Sequence, residues 1–220
     1  MFDVLGVLPI AMLVLGFIVW RLLLLIFAEA HHTERAAGAV VLAMAVLHLS
    51  VWSLAQLGVL SRLSLLALMT LAAVGLWWVS RGRAPLSVLR PTWATGLPLL
   101  VIGVVVILAA ATVRIVPIWQ WDSIGYHLPF VQFVVQAGGF SGVPRDVAYL
   151  STYPHNIELA MVWLQLMLPD DRLIDVAQIP YGVGGAVLIS CIARRLQASP
   201  PAAARARQRH RAGDDVVAGG

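Results

Sequence analysis

TYPHNIELAMVWLQLMLPD, residues 152–170, sets the parity of the membrane crossings in this chain. Pro154 and Pro169 bracket it, leaving about 12 apolar-rich residues where a spanning helix needs about 20. A helix that short lies along the bilayer surface and does not cross it. Arginine placement gives the same answer. Arg81, Arg83 and Arg90 crowd the 80–96 loop, and Arg194-Arg195 follow the last apolar run. Short loops rich in arginine stay on the cytoplasmic side. Both groups reach that side together only if 152–170 does not cross.

Outward from this segment lies a companion. Pro129 suits a first helical turn, and the spacing predicts a helix over 129–136 that Gly138-Gly139 ends. Val131, Val134 and Val135 share one face, and Gln132 and Gln136 another. In the 152–170 helix, Glu158 and Gln165 fall two turns apart on what reads as its polar side. Further out, 4–28, 36–60, 63–80 and 97–117 are long enough to span, and so is 173–193. The expected fold is all-α: a polytopic transmembrane protein with five spans and two interfacial helices in one long extracytoplasmic loop. It divides into four spans over 1–117, the outer loop over 118–172, the fifth span over 173–195 and a tail over 196–220. The N-terminus is expected outside, with Trp119 and Trp121 in an interfacial aromatic belt. The 80–96 loop and the tail are expected inside, and a bacterial cytoplasmic membrane is the expected location.

Composition agrees. Hydrophobic residues make up 60% and charged residues 12%, against roughly 45–50% and about 25% in soluble domains. The pI near 10.0 is no nucleic-acid signal. All 15 basic residues are arginine, and the excess of positive charge, +4, resides after residue 193, so the membrane body is neutral. Cys191 is the single cysteine and forms no intrachain disulfide. Asp3 precedes the first arginine, Arg21, so the first apolar run reads as a retained anchor and not a secretory signal. A chain without lysine holds no Walker motif. Past Leu196 the Ala/Arg/Gly/Pro mixture reads as disordered, and as a truncated or frameshifted end.

Chemistry concentrates in the outer loop. WQWDSIGYHLPF, residues 119–130, places Asp122 at a membrane exit, with Tyr126 and His127 close behind. Partial desolvation makes a carboxylate a better base; capping of the next turn is the plainer reading of Asp122. STYPHNIEL, residues 151–159, brings Tyr153, His155, Asn156 and Glu158 back toward the membrane. It reads either as one wall of a cleft facing Asp122 or as the polar start of an interfacial helix. Neither cluster has the spacing of a structural zinc site.

Other polar residues have plainer roles. Arg114 snorkels from its span, with a phosphate contact as the alternative. Arg145 and Arg172 read as loop arginines that could also supply positive charge. His48 reads as an interhelical hydrogen bond and not a proton relay. His31-His32 with Glu34 reads as a solvated turn. Asp175 and Gln178 are expected to face the loop helices, and Gly182, Gly184 and Gly185 to mark close helix packing.

The order of these pieces carries a resemblance. A long helix ends in an acidic residue followed by Tyr-His-Leu-Pro (126–129). Then come a flat helix, a variable loop, a Tyr-Pro turn leading to Asn156 and Glu158-Leu159, a second flat helix, and a span ending in Arg-Arg-Leu. Over about residues 110–196 this resembles the first extracytoplasmic loop of the GT-C superfamily of membrane glycosyltransferases, which includes bacterial relatives of protein mannosyltransferases and aminoarabinose transferases. The resemblance implies transfer of a sugar from a polyprenyl-phosphate donor to a glycan, lipid or protein acceptor. Asp122 then stands where the family's acidic residue acts as base or helps bind a divalent metal, the one cofactor implied. Several relatives have paired acidic residues where this chain has Asp122-Ser123. Tyr126, His127, Tyr153, His155, Asn156 and Glu158 would border the substrate cavity. Two rival readings remain: a non-catalytic assembly partner or decayed remnant of such an enzyme, and a small transporter subunit using His48 and Arg114.

Overall fold

The computed structural model describes residues 2–83, 123–148, 150, 155–168 and 171–197, together with 103–104, 107–108, 111–112 and 115. Among these, six α-helices form: α1 (Phe2–Ile26), α2 (His32–Gln56), α3 (Arg62–Ser80), α4 (Leu128–Ala137), α5 (Asn156–Met167) and α6 (Ile179–Gln197). A π-helical turn, Ser123–His127, leads into α4, and a 3-10 stretch, Asp171–Gln178, leads into α6. Among the described residues four stretches are long and apolar enough to cross a membrane: Val7–Ile26, His32–Gln56, Arg62–Ser80 and Ile174–Leu196. The expected 97–117 span falls mostly outside the described residues, as do Arg114, Trp119 and Trp121; its described positions are helical.

Local chemistry sets the helix ends. His31 caps α2, accepting from the Thr33 amide, while Glu34 reaches back to the His31 amide. This reciprocal box satisfies amides the first turn leaves open, so the histidine pair is a capped turn, as expected. Arg35, one turn into α2, donates from Nε to the Phe27 carbonyl at 3.2 Å and from a terminal nitrogen to Ala28, closing the end of α1. Cations suit the last carbonyls of a helix. Ser61 and Ser64 exchange the same kind of bonds at the start of α3. Pro9 sits within α1, as membrane helices tolerate.

Helical spacing sorts the side chains. Ala11, Leu15 and Ile18 of α1 and Leu65, Met69 and Ala73 of α3 are buried together. On the outward faces Leu13, Leu63 and Leu71 are 70% or more exposed, which water disfavours and lipid accommodates.

Two sets of contacts fix which helix ends lie together. At one end, the Leu60 amide donates to the Gly138 carbonyl at 2.8 Å, and Arg62 Nε donates to the Leu166 carbonyl at 2.7 Å. The α2–α3 turn thus holds the ends of both α4 and α5. Gly138 ends α4 at φ 67°, in the left-handed region. Gly139 presses so close that a Cβ there would meet the Ala55 carbonyl oxygen at 2.5 Å. At the other end, Arg195 of α6 donates from Nε to Glu34 of α2 at 2.8 Å.

The sequence reading of small details needs two corrections. Gly184 does mark a close approach, since a Cβ would meet Val40 Cγ1 at 2.6 Å, but Gly182 and Gly185 face open space. Gln178, expected against the loop helices, is exposed.

Candidate functional site

The two loop motifs meet. His127, at the close of the π-helical turn, and Glu158, in the first turn of α5, form a pair with Nδ1–Oε1 2.6 Å. A carboxylate oxygen only accepts, so His127 Nδ1 carries the proton. Glu158 was expected on the polar side of its helix, yet it is 1% exposed. The helical period located that face correctly relative to Gln165, but α4, α2 and the chain after α5 cover it. Among the described residues its second oxygen, Oε2, has no hydrogen-bond partner, and neither has the buried Oε1 of Gln165.

Beside this pair, the Tyr126 hydroxyl lies 3.3 Å from His155 Nδ1. The His155 ring stacks on Phe130 with centroids 3.8 Å apart and planes 14° from parallel. Burial pushes His155 below the usual imidazole range, partly offset by the nearby Glu158 carboxylate and a backbone hydrogen bond with Leu150. It is therefore held as the neutral ring. Phe130 was not singled out in the sequence; its one signal was a large aromatic in the first turn of a helix whose valine face is buried.

Asn156 is held through its backbone. The Tyr181 hydroxyl donates to the Asn156 carbonyl at 2.8 Å, and His48 Nε2 lies 2.5 Å from that oxygen and 2.7 Å from the phenol oxygen. His48 Nδ1 turns back on the Met44 carbonyl. His48 thus makes the interhelical bond expected of it, and makes it to α5 and α6 at once. Tyr181 escaped the sequence reading. The available signal was a hydroxyl entering an apolar span just after Pro180, where it needs a partner.

Asp175, in the 3-10 stretch, lies within electrostatic reach of His127, and its buried Oδ1 has no hydrogen-bond partner among the described residues. Tyr126, His127, His155, Asn156 and Glu158 therefore form one cluster at the starts of α4 and α5, beside His48 of α2. Asp122 and Tyr153 lie outside the described residues. Among the described residues no group of three or more His, Cys, Asp or Glu side chains is gathered to hold a metal ion. Comparison with protein-family models, curated proteins and solved structures found no match.

Chemically, the cluster offers an imidazole fixed by a buried carboxylate, a neutral imidazole on a phenol, and a second carboxylate nearby. Such a set moves protons and donates hydrogen bonds to hydroxyl-rich ligands.

Proposed function

We propose that this chain carries the first extracytoplasmic loop of a GT-C type membrane glycosyltransferase. In this reading it transfers a sugar from a polyprenyl-phosphate donor to a glycan, lipid or protein acceptor at the outer face of a bacterial cytoplasmic membrane. The observation that supports it is the meeting of Tyr126-His127 from one motif with His155 and Glu158 from the other, 2.6 Å apart at the closest. The end holding Glu34 and Arg195 faces the cytoplasm, in keeping with the exposed Arg81, Arg83 and Arg194; the loop cluster faces outward.

Attack at an anomeric carbon needs a base near the acceptor and stabilisation of the departing phosphate. By the resemblance, Asp122 occupies the place of the family's acidic residue. By the same resemblance, Tyr126, Tyr153, His155 and Asn156 would border the substrate cavity.

A second reading has its own support. Glu158 is enclosed at 1% exposure, and a hydrogen-bonded carboxylate closed off in this way suits a protein whose loop helices serve as a docking platform for an assembly partner. Transfer of label from a polyprenyl-phosphate-linked sugar, in membranes containing this chain, separates the two. Transfer that disappears in Asp122→Asn supports the enzyme and its acidic residue. Undiminished transfer by that variant removes Asp122 from the mechanism, and no transfer by the unaltered protein moves the assembly reading to first place.

A further inference from the structure

Three histidines sit at the loop end of the described structure, and their surroundings differ in a way that assigns them different work. His48 has both ring nitrogens engaged: Nδ1 on the Met44 carbonyl, Nε2 on the Asn156 carbonyl and the Tyr181 hydroxyl. His155 is stacked flat on Phe130 and bonded through Nδ1 to Tyr126, and burial weakens it as a base. His127 differs from both. Its Nδ1–H is fixed by Glu158 Oε1 at 2.6 Å, its side chain is 22% exposed, and its Nε2 has no hydrogen-bond partner among the described residues.

We infer that His127 is the catalytic residue that takes the acceptor's proton, through Nε2, and that Glu158 is its positioning residue. The inference rests on the glycosyl-transfer reading and deepens it. Of the roles the resemblance offers an acidic loop residue, it takes that of base away from Asp122.

The geometry follows from donor and acceptor rules. With Nδ1–H committed to a carboxylate, the neutral ring has its lone pair on Nε2, the tautomer a base needs. Among the described residues Glu158 has no other hydrogen-bonding partner on either oxygen, so its negative charge is directed at the imidazole and stabilises the imidazolium that forms. Asp175 adds a second carboxylate in range. In the step, the acceptor hydroxyl oxygen bonds to the anomeric carbon. The bond from that carbon to the phosphate oxygen breaks, its electron pair leaves with the polyprenyl phosphate, and the hydroxyl proton passes to Nε2. Base catalysis of this kind contributes about 100- to 10,000-fold.

The test uses the full chain in membranes with a labelled polyprenyl-phosphate sugar. His127→Gln retains an amide N–H for Glu158 and is expected to lower kcat at least about 100-fold with KM unchanged. His127→Ala is expected to regain transfer when free imidazole is added, which a purely structural histidine does not allow. Glu158→Gln, whose carbonyl still accepts the Nδ1 proton, is expected to retain more activity than Glu158→Ala. Unchanged kcat in His127→Gln, or loss in His127→Ala that imidazole does not relieve, overturns the assignment while the glycosyl-transfer reading stands. No transfer by the unaltered protein overturns that reading itself, and the base goes with it.

Discussion

His127 Nδ1 and Glu158 Oε1 meet at 2.6 Å across 31 residues of chain, and the carboxylate is 1% exposed. One hydrogen bond thereby joins the turn before α4 to the first turn of α5. Removing one partner takes away the bond and leaves the other's polar group unpaired in a largely desolvated place, at a cost of about 1–3 kcal/mol. Glu158→Ala is expected to lower stability by that amount and Glu158→Gln by less, because the amide oxygen still accepts from Nδ1. Unfolding in detergent by a chemical denaturant gives both values; equal, negligible losses would show the pair carries no stability.

Gly139 supplies a packing prediction. A Cβ there meets the Ala55 carbonyl oxygen at 2.5 Å and the Gly58 Cα at 2.9 Å, both backbone atoms. Gly139→Ala is expected to cost about 1–3 kcal/mol and to expose residues 138–148 to protease. Gly185→Ala faces open space in a helix and is expected to be neutral or mildly stabilising. Similar protease patterns for the two variants would refute the close docking at Gly139.

His155 gives a pH dependence. Burial depresses its basicity in the folded protein, so the native state favours the neutral ring. The associated stability is present above the unfolded value of about 6.5 and is lost as pH falls below it, through the lower folded value. The thermal midpoint of the detergent-solubilised protein should fall through that window, and His155→Gln should flatten the fall. An equally steep fall in His155→Gln assigns the dependence to another group.

Orientation is open to chemical labelling. Ser141 and Arg83 are both exposed, and Cys191 is the single native cysteine. In a Cys191→Ser background, a membrane-impermeant maleimide is expected to label Ser141→Cys on intact cells and Arg83→Cys only after permeabilisation. The reverse pattern would invert the proposed topology and place the loop cluster in the cytoplasm.

The legible parts of the molecule are those governed by local composition. Span lengths follow from apolar runs, and the short helices end at the prolines and glycines that bracket them. An expected helix over 129–136 is found as Leu128–Ala137. What the sequence withheld depends on distant neighbours. Helical spacing placed Glu158 and Gln165 on one face but could not say that protein, and not water, covers it. His48 was legible as a hydrogen-bonding residue, but its partner Tyr181 lies 133 residues away, beyond any periodicity. The glycines of α6 looked alike, and only Gly184 faces a β-branched side chain of α2 at close range.

The triple contact among His48, Asn156 and Tyr181 also imposes an order on synthesis. A chain emerges N-terminus first, so His48 is in place when α5 forms and offers its carbonyl. Tyr181 follows 25 residues after Asn156. It adds a second contact on the Asn156 carbonyl to the bonds that α5 already makes through Glu158 and Leu166. The contacts on the Asn156 carbonyl are thus complete only when the last described span has been made.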